Sequence, residues 1–94
     1  MEDLPSIELL ESVHHFPGPY IFKAIGRSDN GFVGRVVAAV RDELSQTTDP
    51  PFSFRQAVGG RHVAVTLEPT VQTAKQVLDI YRRIRAVVGL VMLL

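Results

Sequence analysis

One stretch, Phe52 to Glu68, FSFRQAVGGRHVAVTLE, limits what this chain can fold into more than any other. Two runs in which apolar and polar residues alternate flank the pair Gly59-Gly60. Alternation with a period of two is the pattern of a half-buried strand, and glycine accepts the positive φ that a primed hairpin turn requires. With a two-residue turn, Val58 faces Arg61, Gln56 faces Val63, Arg55 faces Ala64 and Phe54 faces Val65. One face of the hairpin then collects Phe52, Phe54, Val63, Val65 and Leu67. The other collects Ser53, Arg55, Ala57, His62, Ala64, Thr66 and Glu68. Such a hairpin needs a cover on its dry face and leaves a wet face open.

The cover is written on both sides of it. Upstream, Tyr20 to Ile25 carries aromatic and β-branched residues between Pro19 and Gly26, which predicts a first strand. Phe32, Val33, Val36, Val37, Val40 and Leu44 then recur at helical spacing, predicting an amphipathic helix over about residues 31–46 that Asp49-Pro50-Pro51 terminates. Downstream, Pro69-Thr70 opens a second helix whose stripe is Val71, Ala74, Val77, Leu78, Tyr81 and Ile84. Gly89 to Leu94 forms a last strand with no polar alternation, which predicts either cover on both faces or a partner on one. Residues 1–18 are a lead-in segment in which Ser6 caps a short turn that docks Leu9 and Leu10, and residues 19–94 form one domain. The order strand, helix, strand, strand, helix, strand with right-handed crossovers predicts an α+β, ferredoxin-like βαββαβ domain. Its four-stranded antiparallel sheet has the order 4-1-3-2 and is backed by two helices. The first strand is then central. Lys23 lies on the wet face beside Ala64 and Thr66, while Tyr20 and Phe22 point to the helices.

Several classes of function fall away on composition. The chain has no cysteine, which excludes disulfides, thiolate nucleophiles and cysteine metal sites. Ten Lys and Arg balance ten Asp and Glu, so no overall field draws the protein to phosphate backbones or anionic lipid. The longest apolar run, Ala86 to Leu94, is under half of the roughly 20 residues a membrane-spanning helix needs. The acidic amino terminus lacks a secretory h-region, and the protein is read as cytoplasmic and not membrane-bound.

Three segments together, FPGPYIFKAIG, GGRHVAVTLEP and VLDIYRRI followed by VGLVMLL, resemble the YbeD-like family of small bacterial proteins of unknown function. The resemblance covers about residues 9–94, with Phe16, Pro17, Lys23, Gly26 and Tyr81 at matching positions. It departs at the hairpin: Val58 precedes the turn and His62 follows it, where many relatives have a Ser-rich hairpin with an aromatic after the turn. The resemblance implies a fold like that of the ACT regulatory domains, which bind amino acids or other small ligands, often as dimers. It implies no catalytic residues.

Two candidate sites follow. Gly26, Arg27, Ser28, Asn30 and Gly31 form a loop that leads into a helix amino terminus, where free backbone N–H groups and Arg27 suit a small anionic effector. The same loop, with Asp29, also suffices as a helix cap. Lys23, Arg55, His62, Thr66 and Glu68 share the wet face, either as a surface for a protein partner or second protomer, or as an ordinary solvated sheet. The pair His14-His15 diverges in direction and has no third ligand at metal spacing, so no metal or cofactor is expected. No carboxylate pair or glycine-flanked nucleophile suggests an enzyme. The expectation is a non-catalytic regulatory or adaptor domain. The alternative is a nucleic-acid-binding module that uses Arg55, Arg61 and the second-helix residues Arg82, Arg83 and Arg85. It is disfavoured because the outward residues of the central strands include no aromatic platform.

Overall fold

The computed structural model describes residues 4–29 and 31–94. Helix α1 (Ile7–Val13) begins at Ser6, whose hydroxyl accepts the Leu9 N–H at 3.1 Å. It rests on the long helix α3 (Ala74–Arg85) through Leu10, which is buried, whereas Leu9 is exposed and does not dock. After a cis Phe16–Pro17 peptide bond, the two-residue strand β1 (Gly18–Pro19) pairs with β5 (Thr70–Val71) in a small antiparallel sheet.

The main sheet holds β2 (Phe22–Arg27), β3 (Phe52–Gln56), β4 (His62–Leu67) and β6 (Leu90–Leu93) in the order β3-β4-β2-β6, every neighbouring pair antiparallel. The first and third of these long strands are therefore central, and the second and last are the edges. Helix α2 (Phe32–Glu43) lies against β4 and β2, and α3 packs on α2 and β6. Between helices and sheet sits one core: Phe22 and Ala24 from β2, Val63, Val65 and Leu67 from β4, Phe32, Val36, Val37 and Val40 from α2, and Val77, Ile80, Tyr81 and Ile84 from α3.

The hairpin keeps the expected register, with Phe54 opposite Val65, Arg55 opposite Ala64 and Gln56 opposite Val63. Its turn is different. The closing hydrogen bond runs from Gly60 N–H to Ala57 C=O, and the positive φ at Gly59 falls on the third residue of that turn, as in type II and not a primed turn. Val58 thus becomes a fully exposed corner residue.

Four other expectations need correction. The first strand starts at Phe22, because Gly18 and Pro19 are drawn into the small sheet with Thr70 and Val71. For the same reason the second helix starts at Ala74: Thr70 is a strand residue, and Thr73 is the cap, accepting the Gln76 N–H at 3.1 Å. Its stripe loses Val71 and gains Ile80, which is fully buried. The intended dry face of β3 is not dry, since the helices sit over β4, β2 and β6. Phe52 and Phe54 remain 42% and 62% exposed. Of the two alternatives for the final strand, cover on both faces is overturned: Leu90 and Leu93 pack on the core, while Val91 and Met92 are exposed.

Candidate functional site: the open sheet face and the loop before α2

The loop after β2 is built around Gly26. A β-carbon there would sit inside the ring of Phe32, so glycine is required for the first residue of α2 to enter the core. Asp29 follows at the end of the strand. Its Oδ1 accepts the Gly31 and Phe32 N–H groups, both at 2.9 Å, and its carboxylate receives Arg35 Nη2 at 3.0 Å. Arg35 in turn donates to the Val88 carbonyl at 2.9 Å, which ties α2 to the turn before β6. The Gly31 N–H foremost, and then Arg35, hold the Asp29 carboxyl below its ordinary 3.8. Ser28 Oγ accepts from Gln56 Nε2, and its N–H donates to the Arg61 carbonyl at 3.0 Å. Arg27 is exposed, opposite His62. Of the proposed effector residues, Asn30 lies outside the described residues. Two donors at the α2 amino terminus, the Gly31 and Phe32 N–H groups, are taken by Asp29, and an incoming anion would meet that carboxylate.

The wet face assembles as rows across the sheet. Ser53, Thr66 and Lys23 form one row, and the Lys23 backbone continues it to Leu94, whose N–H donates to the Lys23 carbonyl at 2.8 Å. Arg55, Ala64, Ile25 and Met92 form the next, and His62 faces Arg27 beyond it. Of the five residues assigned to a partner face, Lys23 and Thr66 are adjacent. Arg55 is one row away, His62 lies two rows from Thr66, and Glu68 sits past the end of β4, joined to Pro51 by a 2.9 Å backbone bond. A shallow depression of about 320 Å³ is lined by Lys23, Ser53, Arg55, Ala64 and Thr66, with Phe54 at its side. The polar and charged residues of the face spread over three strands, with Arg55 on β3, His62 and Thr66 on β4, and Lys23 and Arg27 on β2. Towards β6 the face is apolar: Ile25 and Ala64 are half-buried, and Met92 and Leu94 are 50% and 58% exposed.

Met92 and Leu94 are the members that sequence reasoning missed. Their facing depends on an irregularity between Ile25 and Gly26, where the β2–β6 register shifts by one residue and Val91 becomes the extra one. Nothing in an unbroken apolar run such as LVMLL marks that shift.

The arginines proposed for nucleic acid are divided. On α3, Arg83 pairs with Glu43 at 2.9 Å, and Lys75 and Arg82 share Asp79 at 2.8 and 3.4 Å. Arg55 and Arg61 belong to the hairpin on the sheet. His14 packs against Tyr20 with the rings tilted by 54° and their centroids 4.8 Å apart, and among the described residues no group of three or more metal-ligating side chains occurs. Tyr20 and Tyr81 meet hydroxyl to hydroxyl at 3.2 Å, joining the segment after β1 to α3. Burial, and then this contact, push the Tyr81 phenol well above its ordinary 10.0.

These elements define a two-layer α+β protein whose sheet is covered by helices on one side and open on the other. Among the described residues no helix is long and apolar enough to cross a membrane. Residues 11–94 match the family described as a protein of unknown function, DUF493, and the chain belongs to that family. No curated protein matches it.

Proposed function

We propose that this protein is a non-catalytic regulatory or adaptor domain of the YbeD-like, ACT-like kind, ferredoxin-like in fold, that acts in the cytoplasm by holding a protein partner on its open sheet face. The fold part of this reading is supported by the sheet order β3-β4-β2-β6 with both helices on one side. The functional part rests on one observation, the composition of that face. Ile25, Ala64, Met92 and Leu94 make an apolar strip beside Lys23, Thr66 and Arg55, and this is the mixture of an apolar centre and a polar rim that protein interfaces use. Lys23 then works as a rim charge that orients the partner.

The same geometry weighs against the rival readings. The central strands present Lys23, Ile25, Arg27, His62, Ala64 and Thr66 outward, with His62 the one ring among them and no pair of aromatics on which successive bases could stack. Asp29 occupies the place where an anionic effector would be held.

A photoreactive amino acid placed at Ala64, the middle of the face, and at Lys75, on the helical side, tests the reading in the native cell. The expected result is a covalent adduct to a discrete protein from position 64 and none from position 75. Equal yields from the two positions, or none from 64, would overturn the partner-face reading.

A further inference from the structure

All five residues of β3 are exposed, Phe52 and Phe54 among them, and among the described residues no strand lies on their outer side. The Glu68 N–H donates to the Pro51 carbonyl and the Ala57 N–H to the His62 carbonyl, so the odd-numbered residues of β3 bond to β4. By the alternation of an antiparallel ladder, Phe52, Phe54 and Gln56 turn their backbone N–H and C=O groups outward. An uncovered edge that also carries two aromatic rings is a template for another strand.

We propose that this edge pairs antiparallel with the same edge of a second copy of the chain, with Ser53 on the twofold axis. The open and helical faces must match across the join, so register can change only in steps of two residues in pair sum. Placing Phe54 opposite itself brings Arg55 into the row of Ser53, Thr66 and Lys23 of the second copy, cation towards cation. One step towards the hairpin turn sets Arg55 directly against Arg55. Two steps the other way set Phe52 opposite itself and bring Pro50, which has no N–H to give, against Phe54 within the strand, whereas the Ser53 register meets it only at Gln56, the strand end. With Ser53 opposite Ser53, each Phe52 faces a Phe54, and these pairs exchange backbone hydrogen bonds. Arg55 then lies opposite Pro51 of the second copy, whose neighbour on β4 is Glu68. Two strand spacings, about 10 Å, separate the two α-carbons, a span that an arginine and a glutamate side chain bridge together.

Two further observations favour this register. Within one chain neither Arg55 nor Glu68 forms an ion pair among the described residues. A depression of about 220 Å³, lined by Pro51, Phe52, Ser53, Thr66 and Glu68, lies where the incoming Arg55 arrives. The twofold axis supplies the pair twice. The proposal shares Arg55 with the partner-face reading but is tested apart from it, since Ala64, the position that tests that reading, stays outside the join.

The chain has no cysteine, so a single Ser53→Cys variant reports directly. Residues of a non-hydrogen-bonded antiparallel pair lie about 4.5 Å apart at Cα, within disulfide range. Mild oxidation of Ser53→Cys is expected to give a covalent dimer, and Arg55→Cys little. In sedimentation, Arg55→Glu and Glu68→Arg are each expected to weaken self-association at least about tenfold, and the double variant to restore it to within about threefold. A wild type that is monomeric at roughly 100 μM, or a Ser53→Cys protein that stays monomeric, overturns the proposal; an edge that takes a strand from another protein gives that result. A double variant as weak as the single ones overturns the register.

Discussion

At the scale of single residues, Asp29 carries the most legible chemistry. The sequence presents Ser28, Asp29, Asn30 and Gly31 before an apolar run, which is a helix start, but several of these side chains could serve as the cap. The structure selects Asp29 and adds Arg35, one helical turn beyond Gly31, as its counter-ion. Because the folded carboxyl ionises below its unfolded value, the stability it confers is present above about pH 4 and is lost as pH falls through the depressed folded pKa. Thermal unfolding of the wild type and of Asp29→Asn from pH 6 to pH 2 should therefore show the largest gap at pH 6 and convergence at the acid end. A gap independent of pH would mean that only the hydrogen bonds, which asparagine can also accept, are at work. Lys23 was equally legible: period-two reading of β2 alone sets it on the open face, and its pairing with Thr66 agrees. Phe52 and Phe54 were legible in register but not in burial, because strand alternation says which face a residue takes and not whether a helix reaches it.

Among elements, α3 shows where local signals compete. Pro69-Thr70 and Thr73 are both sound helix starts, and nothing local ranks them. What decides is tertiary: Gly18 and Pro19 take Thr70 and Val71 as strand partners, and the Tyr20 N–H donates to the Pro69 carbonyl at 3.0 Å, so the helix is postponed to the next capping residue. Denaturant unfolding should then find Thr73→Ala destabilised by about 1 kcal/mol, the usual cost of losing a cap, and Thr70→Ala within about 0.5 kcal/mol of the wild type. The reverse ranking would place the start of the helix at Thr70. The last strand was legible as a strand but not in its facing. Its pairing with β2 slips by one residue, and the slip has no counterpart in a run of apolar side chains.

For the molecule as a whole, order and layering follow from the sequence more directly than its joints do. Two amphipathic helices and an alternating hairpin dictate a covered sheet, whereas the union of α1, β1 and β5 with the main domain rests on long-range contacts that no short window displays. At that union stands the Tyr20–Tyr81 hydroxyl contact. The Tyr81 phenol ionises above its unfolded value, so its contribution is complete below about pH 10 and declines as pH rises beyond it. The chain has two tyrosines and no tryptophan. Apart from the weak, shorter-wavelength signal of its five phenylalanines, its near-ultraviolet absorbance and emission therefore originate at this one place, and a melting curve read in the tyrosine band is a local probe. If the small sheet lets go before the main one, tyrosine emission will change at a lower temperature than far-ultraviolet circular dichroism; coincident curves would show that lead-in and domain unfold as a single cooperative body.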